Sequence, residues 1–373
     1  MELINFDNAA TTFPKPPSVI RAAQEAAQTL GGNAGRGGHA LAMRSSEAVF
    51  SARETVAELF GAAPENVVFT SNCTHALNLA IHGIMAGGGH LIISSLEHNS
   101  AARPAAALAK DGRISLSVAQ VFPDDDRTVE SFRRLIRSDT KAVICTMASN
   151  VTGQILPIRR IAELCKSRGI CLIADGAQAC GVLDVKLEGI NILCTAGHKG
   201  LYGLSGTGLL VSDGKFPIKP LIQGGTGTSS ASLMQPTLLP EALESGTLNI
   251  PGIMSLKAGV DFLRSKGIPR ILAHEEEVCR VFMEELKSVP KVQIYRSPKA
   301  GYVPIVSFNV ENLPPEKVSA ALSEKGFCLR AGLHCAPLAH SSNGTKSGTV
   351  RFSPSVFSRP QDAVRLAKTV KEL

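Results

Sequence analysis

The sequence predicts an α/β protein: a mostly parallel sheet flanked by helices, followed by a smaller α+β unit. Three observations predict it. From position 67 to position 174, short apolar runs alternate with runs of helical periodicity. The strand-like runs are apolar along their length, as strands covered on both faces are. After Pro290 the order changes to strand, strand, helix, strand. A chain of 373 residues has room for one large domain and one small one.

Taken in order, residues 1–14 are short, extended and turn-rich. Pro14, Pro16 and Pro17 lead into a helical run over 18–30, proline being favoured at a helix start. Residues 31–38 form a polar Gly-rich loop. Over 45–60, Ala48, Val49, Ala52, Val56 and Leu59 line one helical face. Strands are then expected at 67–70, 90–95, 114–121, 141–147 and 170–174. Helices are expected between them at 74–85, 100–110, 129–137 and 158–168. Two more strand-like runs, 190–195 and 208–211, flank a Gly-rich stretch. Residues 224–232 read as a Gly/Ser/Thr loop. Long helices follow at 253–266 and 271–289, then strands at 292–295, 304–310 and 327–330 around a helix at 315–325. The expected boundary lies near residue 255. That makes a large domain of 15–254 and a small one of 255–373, joined by the segment 1–14. There is no internal repeat.

Composition narrows the function. Net charge is +7, but the basic residues are scattered, and tryptophan is absent with aromatics at 5%. Nucleic-acid binding is therefore not expected, whereas phosphates and carboxylates suit the basic excess. Nine cysteines lack any Cys-x-x-Cys pair, and Cys145, Cys171 and Cys194 sit in strand-like runs. They read as reduced, buried thiols of a cytoplasmic protein. No signal peptide is evident, and no apolar run approaches the roughly 18 residues a transmembrane helix needs.

The chemistry centres on Ala196-Gly197-His198-Lys199-Gly200-Leu201-Tyr202-Gly203. A lysine held between two buried strands is costly unless partnered or used covalently, and a desolvated amine is what Schiff-base chemistry needs. A solvated turn lysine is the alternative. Upstream, the run 170–174 ends on Asp175, and ligands of open α/β sheets bind at such strand ends. A lysine and a carboxylate on neighbouring strand ends make the arrangement that holds pyridoxal 5'-phosphate (PLP), the acid pairing with the ring nitrogen. An N-cap role for Asp175 is the alternative. Neither glycine-rich loop has dinucleotide or P-loop spacing.

Asp175-Gly-Ala-Gln178 followed by Gly197-His198-Lys199 resembles the class V aminotransferase-fold PLP enzymes, and among them the cysteine desulfurases (NifS-like, SUF type). The resemblance runs from Phe6-Asp7-Asn8-Ala9-Ala10-Thr11-Thr12 to Val350-Arg351-Phe352-Ser353. It implies the fold type I of PLP-dependent transferases. Asn72-Cys73-Thr74-His75 lies between a strand and a helix, where amides and a hydroxyl favour phosphate; the resemblance assigns the PLP phosphate to Thr74. It leaves His75 without a role where relatives often have glutamate. It makes His98 the residue that stacks on the ring and moves protons. Asn150 becomes a contact for the substrate carboxylate or the cofactor's phenolic oxygen, and Gln178 a partner of that oxygen. His198 becomes a second phosphate ligand. Relatives carry serine or threonine where this chain has Ala196, so Thr195 or a backbone amide is left to replace that hydroxyl. Gly200 is an extra residue. Thr247, in Ser245-Gly246-Thr247, corresponds to a segment that reaches the neighbouring subunit's phosphate, implying a homodimer with a shared active site. Arg351 would hold the substrate carboxylate, as a guanidinium can through paired hydrogen bonds.

Cys335 lies in Arg330-Ala331-Gly332-Leu333-His334-Cys335-Ala336-Pro337, a Gly/Pro-flanked loop. Such a thiol can be exposed and activated by nearby positive charge. Inert packing is one alternative. A metal site with His334 and His340 is another, but its ligand set is incomplete. Beside Lys199 and Asp175, Cys335 reads as a sulfur acceptor. The resemblance therefore implies a PLP-dependent cysteine desulfurase. It would convert L-cysteine to L-alanine and pass sulfur from Cys335 to an acceptor protein, for uses such as iron–sulfur cluster assembly. The alternatives are a selenocysteine lyase, another class V β-lyase or aminotransferase, and a sulfur-relay or scaffold protein without PLP chemistry. Intact Lys199, Asp175 and Arg351 argue against the last.

Overall fold

The computed structural model describes residues 3–35, 37–228 and 230–373. After β1 (Ile4–Asn5) come α1 (Pro17–Thr29) and α2 (Ala40–Phe60). Strand and helix then alternate as β2 (Val67–Thr70), α3 (Cys73–Ile84), β3 (His90–Ser94), α4 (Asn99–Lys110), β4 (Ser115–Ala119), α5 (Asp125–Leu135), β5 (Thr140–Thr146), α6 (Ile158–Lys166) and β6 (Cys171–Asp175). Two further strands, β7 (Ile192–Ala196) and β8 (Gly208–Ser212), complete the sheet. Its order is β2-β8-β7-β6-β5-β3-β4. Only β8 runs against its neighbours. Alternate strand residues feed two cores. Val67, Ile92, Val143, Leu172 and Leu193 pack under α2 and α6 on one face. Val68, Leu91, Ile144, Ile173 and Cys194 pack under α3 and α4 on the other. Burial on both faces is why these strands read as unbroken apolar runs.

The chain continues through α7 (Ile250–Lys266) and α8 (Ile268–Leu286). Then follow β9 (Val292–Ile294), β10 (Val306–Val310), α9 (Pro315–Glu324), β11 (Phe327–Cys328), β12 (Arg330–Gly332), α10 (Pro337–Ser342), β13 (Thr349–Phe352) and α11 (Pro360–Glu372). The order β12-β13-β10-β9 makes an antiparallel sheet. Its core joins Val278 and Phe282 of α8 to Phe308, Phe352 and Leu366. Residue 255 falls inside α7. The first core takes in Leu263 and Ile271, with Ala336 and Ala339 from further along the chain, and the second takes in Val278 and Phe282 of α8. The N-terminal segment belongs to the second unit: β1 pairs in parallel with β11, and Phe6 packs 4.5 Å from Phe352.

Several elements differ from the sequence expectation in where they begin. Side chains of His39, Asp124 and Asn249 accept the amides of Ala42, Arg127 and Gly252 and start α2, α5 and α7 three to five residues early. Capping by polar residues leaves no trace in apolar periodicity. The single strand expected at 327–330 is two, because β11 pairs with β1 and β12 with β13. Among the described residues, no helix is long and apolar enough to cross a membrane.

Helix α7 packs on α1 and α2 and also supports the Gly-rich turn after β7. A Cβ on Gly259 would stand 2.1 Å from the Leu201 carbonyl oxygen. Glycine to alanine inside a helix ordinarily stabilises by about 1 kcal/mol. Here Gly259→Ala is expected to destabilise by about 1–3 kcal/mol, measured by denaturant unfolding. Equal or greater stability would show that the turn does not rest on α7.

Candidate active site

The C-terminal ends of β3, β5, β6 and β7 open into one cavity of about 220 Å³, lined by Thr74, His98, Asn150, Asp175, Gln178, His198, Lys199 and Arg351. Eight of the ten residues singled out from sequence therefore meet where ligands of open α/β sheets bind. Thr247 does not: it is exposed, and its hydroxyl lies 3.5 Å from Asn33. Cys335 is exposed near the rim.

Lys199 sits two residues beyond the Gly197 bend that ends β7. The turn is fixed by close backbone contact, since a Cβ on Gly200 would meet the Cys180 carbonyl oxygen at 2.4 Å. The Gly181 backbone faces it, and a Cβ there would meet the Gly200 carbonyl oxygen at 2.1 Å. Gly200 is thus accommodated by a second glycine across from it. Lys199 is half-buried, and its amine has no hydrogen-bond partner among the described residues. Burial lowers its proton affinity, and the Asp175 carboxylate opposes that shift. Asp175 ends β6, with Oδ1 accepting the Ala177 amide at 2.9 Å.

The helix N-terminus at α3 is half satisfied. Asn72 Oδ1 accepts the His75 amide at 2.8 Å, while the Cys73 and Thr74 amides have no partner among the described residues. With the Thr74 hydroxyl they form an anion site. His198 brings a buried ring nitrogen, Nδ1, that lacks a partner among the described residues. Burial, with Lys199 and Lys15 adding, lowers its pKa to about 4, so it meets an anion as a neutral donor. The place of Ala196 is not filled by Thr195, whose hydroxyl is turned to the Gly176 carbonyl at 3.3 Å. The Gly197 amide is given to Thr207. The α3 amides are therefore the remaining replacement.

His98 caps α4. Its Nδ1 accepts the Ser100 amide at 3.0 Å, which leaves the neutral ring's proton on Nε2. Burial lowers its pKa to about 4 against the pull of Asp175. Gln178 gives one amide proton to the Ala9 carbonyl at 3.0 Å. Asn150 gives one to the His334 carbonyl at 2.7 Å. Arg351, on β13, donates to the Asn150 carbonyl at 2.9 Å and to Asp7 at 2.8 Å. Its Nε is buried without a partner among the described residues, leaving one edge of the guanidinium for a carboxylate.

The Cys335 loop is four residues between β12 and α10. His334 and Cys335 both have left-handed backbone, φ 47° and 57°. The His334 ring bonds Thr349, and the Cys335 carbonyl accepts the Asn99 amide at 2.8 Å. Arg330, to which the sequence reading gave no role, lines the cavity and donates to Cys335 Sγ at 3.3 Å. His340 lies beside His334, ring centroids 5.7 Å apart, and bonds Thr345. Among the described residues no cluster of His, Cys, Asp or Glu is placed to hold a metal ion.

The aminotransferase class-V profile matches residues 4–366. The chain belongs to the class V aminotransferase family. It is 31% identical over 378 residues to a probable cysteine desulfurase of Methanothermobacter thermautotrophicus, covering 98% of this chain and 94% of that one. A cysteine desulfurase of Haloferax volcanii is 29% identical over 380 residues, with 99% and 88% covered. The apo structure of a cysteine desulfurase from Thermococcus onnurineus superimposes with a TM-score of 0.93 at 29% identity, covering 99% and 94%. Class V enzymes use PLP, and these residues fit it. An unpartnered amine, free α3 amides, an orphaned His198 nitrogen and the Asp175 carboxylate match an aldehyde, a phosphate and a pyridine nitrogen.

Glu97 also escaped the sequence reading. It is fully buried between β3 and β5, with Oε1 accepting the Thr146 amide at 2.7 Å and Oε2 unpartnered among the described residues. Burial, with Asp175 adding to it, raises its pKa from 4.5 to about 8. A carboxyl with raised folded-state proton affinity contributes stability at acid pH that is lost as pH climbs through its folded pKa. Glu97→Gln is expected to match the wild type near pH 4.5 and to be the more stable by on the order of 3–5 kcal/mol at pH 8. Unfolding midpoints across that range would measure the gap. A gap that does not widen with pH would mean that Glu97 is ionised in the fold.

Proposed function

We propose that this chain is a PLP-dependent cysteine desulfurase, making L-alanine from L-cysteine and taking the sulfur on Cys335. The observation that carries the reading is the pairing of an exposed thiol, bonded by Arg330, with a cavity that holds Lys199, Asp175 and Arg351. The names of the relatives support it. Bound PLP supplies an electron sink for charge that develops at the substrate Cα. Lys199 would hold it, with Asp175 at the ring nitrogen and Thr74, the α3 amides and His198 around the phosphate. Neutral His98 offers a flat apolar face and an Nε2 proton.

The chain's own groups then have defined work. Arg351 orients the amino acid by its carboxylate through Nε and the adjoining amine proton. The Lys199 amine, its proton affinity lowered by burial, is suited to take a proton from Cα and return it. Cys335 attacks the substrate sulfur: a sulfur–sulfur bond forms and the substrate's carbon–sulfur bond breaks. In sum, one thiol and one cysteine become one persulfide and one alanine, with no external oxidant. Arg330 holds the attacking sulfur and stabilises negative charge on it.

The short Cys335 loop cannot extend far, which supports delivery to an acceptor protein that approaches the rim, in the manner of the SUF type. A homodimer is also proposed. Thr247 is exposed and outside the cavity, and Leu233, Met234 and Leu238 in the same segment are strongly exposed apolar side chains. A second copy would cover them and bring Thr247 to its neighbour's phosphate. A cytoplasmic location accords with unpaired cysteines.

Cys335→Ala is expected to keep the visible cofactor band but lose at least about 100-fold in alanine formation from cysteine under reductant, a loss typical of removing a nucleophile. Wild-type rates with cysteine would take Cys335 out of the reaction. Retained turnover of selenocysteine alone would favour the lyase reading. Arg351→Lys is expected to raise KM about 10-fold or more, because an ammonium cannot offer two parallel hydrogen bonds. An unchanged KM would place the substrate carboxylate elsewhere.

A further inference from the structure

Cys73 opens α3, and its thiol lines the cavity with Lys199 and Asp175. It is buried, and its Sγ donates to Asp175 Oδ1 at 3.6 Å. The same oxygen accepts the Ala177 amide, whereas Oδ2 has no hydrogen-bond partner among the described residues. Burial and the neighbouring carboxylate push the thiol well above its ordinary range. The sulfur keeps its proton. It is therefore a donor in this site and not a rival to Cys335 as a nucleophile.

We propose that Cys73 is a positioning residue that acts through Asp175. Two donors on Oδ1 fix the carboxylate plane and turn Oδ2 to the cavity. Donors on a carboxylate also weaken it as a base. The negative charge that Asp175 presents to Lys199, and would present to a cofactor ring nitrogen, is then lower than that of a bare carboxylate. The proposal rests on the PLP reading of the cavity.

The test titrates the visible absorbance of the PLP-loaded protein between about pH 6 and about pH 11, a span that takes in the ordinary lysine value of about 10.4 and values lowered by burial. Cys73→Ala removes the donor and strengthens the anion beside Lys199. Its apparent pKa is expected to rise by about half a unit. Cys73→Ser supplies a shorter, stronger O–H donor, and its apparent pKa is expected to fall below that of the wild type. Shifts of opposite sign are the mark of a donor, because a packing defect moves both variants the same way. Titrations that coincide with the wild type, or that shift together, overturn the role of Cys73. A wild-type preparation with no visible band overturns the cofactor reading and this inference with it.

Discussion

The carbonyl oxygen of His198 accepts from the Thr12 amide at 3.1 Å, from the Thr11 and Thr12 hydroxyls, and from the Lys15 ammonium at 2.8 Å. This knot ties the N-terminal segment to the turn that carries Lys199. The same segment is held by β11 through β1 and by Arg351 through Asp7. A turn fixed at so many points cannot relax to give the Lys199 amine a protein partner. Burial lowers the pKa of Lys15 to about 8, so the clamp itself works with a partly desolvated cation. The fold sustains an unpaired amine at the strand ends because the backbone around it has no freedom left.

Charge in the cavity follows from that arrangement. Lys199, Arg330 and Arg351 line it, against, among the described residues, the single carboxylate of Asp175. Asp7 balances Arg351 from behind the cavity wall. Glu97 lies nearby but stays protonated through neutral pH, and Cys73 keeps its thiol proton. One anion thus faces two guanidinium groups and an amine whose proton affinity burial lowers, and an anionic ligand suits that balance. The histidines follow the same rule. His98 and His198 are both kept neutral by burial among cations, so they serve as hydrogen-bonding surfaces and not as further positive charges.

Much of this was legible in sequence. Strand positions were clear because burial on both faces writes an unbroken apolar run, and strand ends carrying Asp175, Asn150 and His98 were clear because polar residues stop those runs. The Lys199 turn stood out as a lysine among glycines. What stayed hidden depends on contacts between distant segments. Arg330 reads as an ordinary strand residue until β12 turns its guanidinium to Cys335. Glu97 reads as a loop acid until β5 closes over it. Asp7 lies 344 positions from the arginine it pairs with. The early helix starts were missed for a related reason, since a cap is a single polar side chain with no period.

The cysteines show how the fold separates inert thiols from a usable one. Seven of the nine are buried, one is half-buried, and Cys335 is exposed. Burial raises Cys165 and Cys180 to about 12, which keeps them as packing groups. Cys335 differs through backbone geometry. Two consecutive left-handed residues without glycine are strained by roughly 1–3 kcal/mol each. They persist because Asn99 bonds the Cys335 carbonyl, Asn150 bonds the His334 carbonyl, and Thr349 bonds the His334 ring. Those three restraints come from three different elements that also build the cavity. The sulfur is held at the rim as part of the site. The loop cannot carry it outward without breaking the contacts that shape the cavity wall.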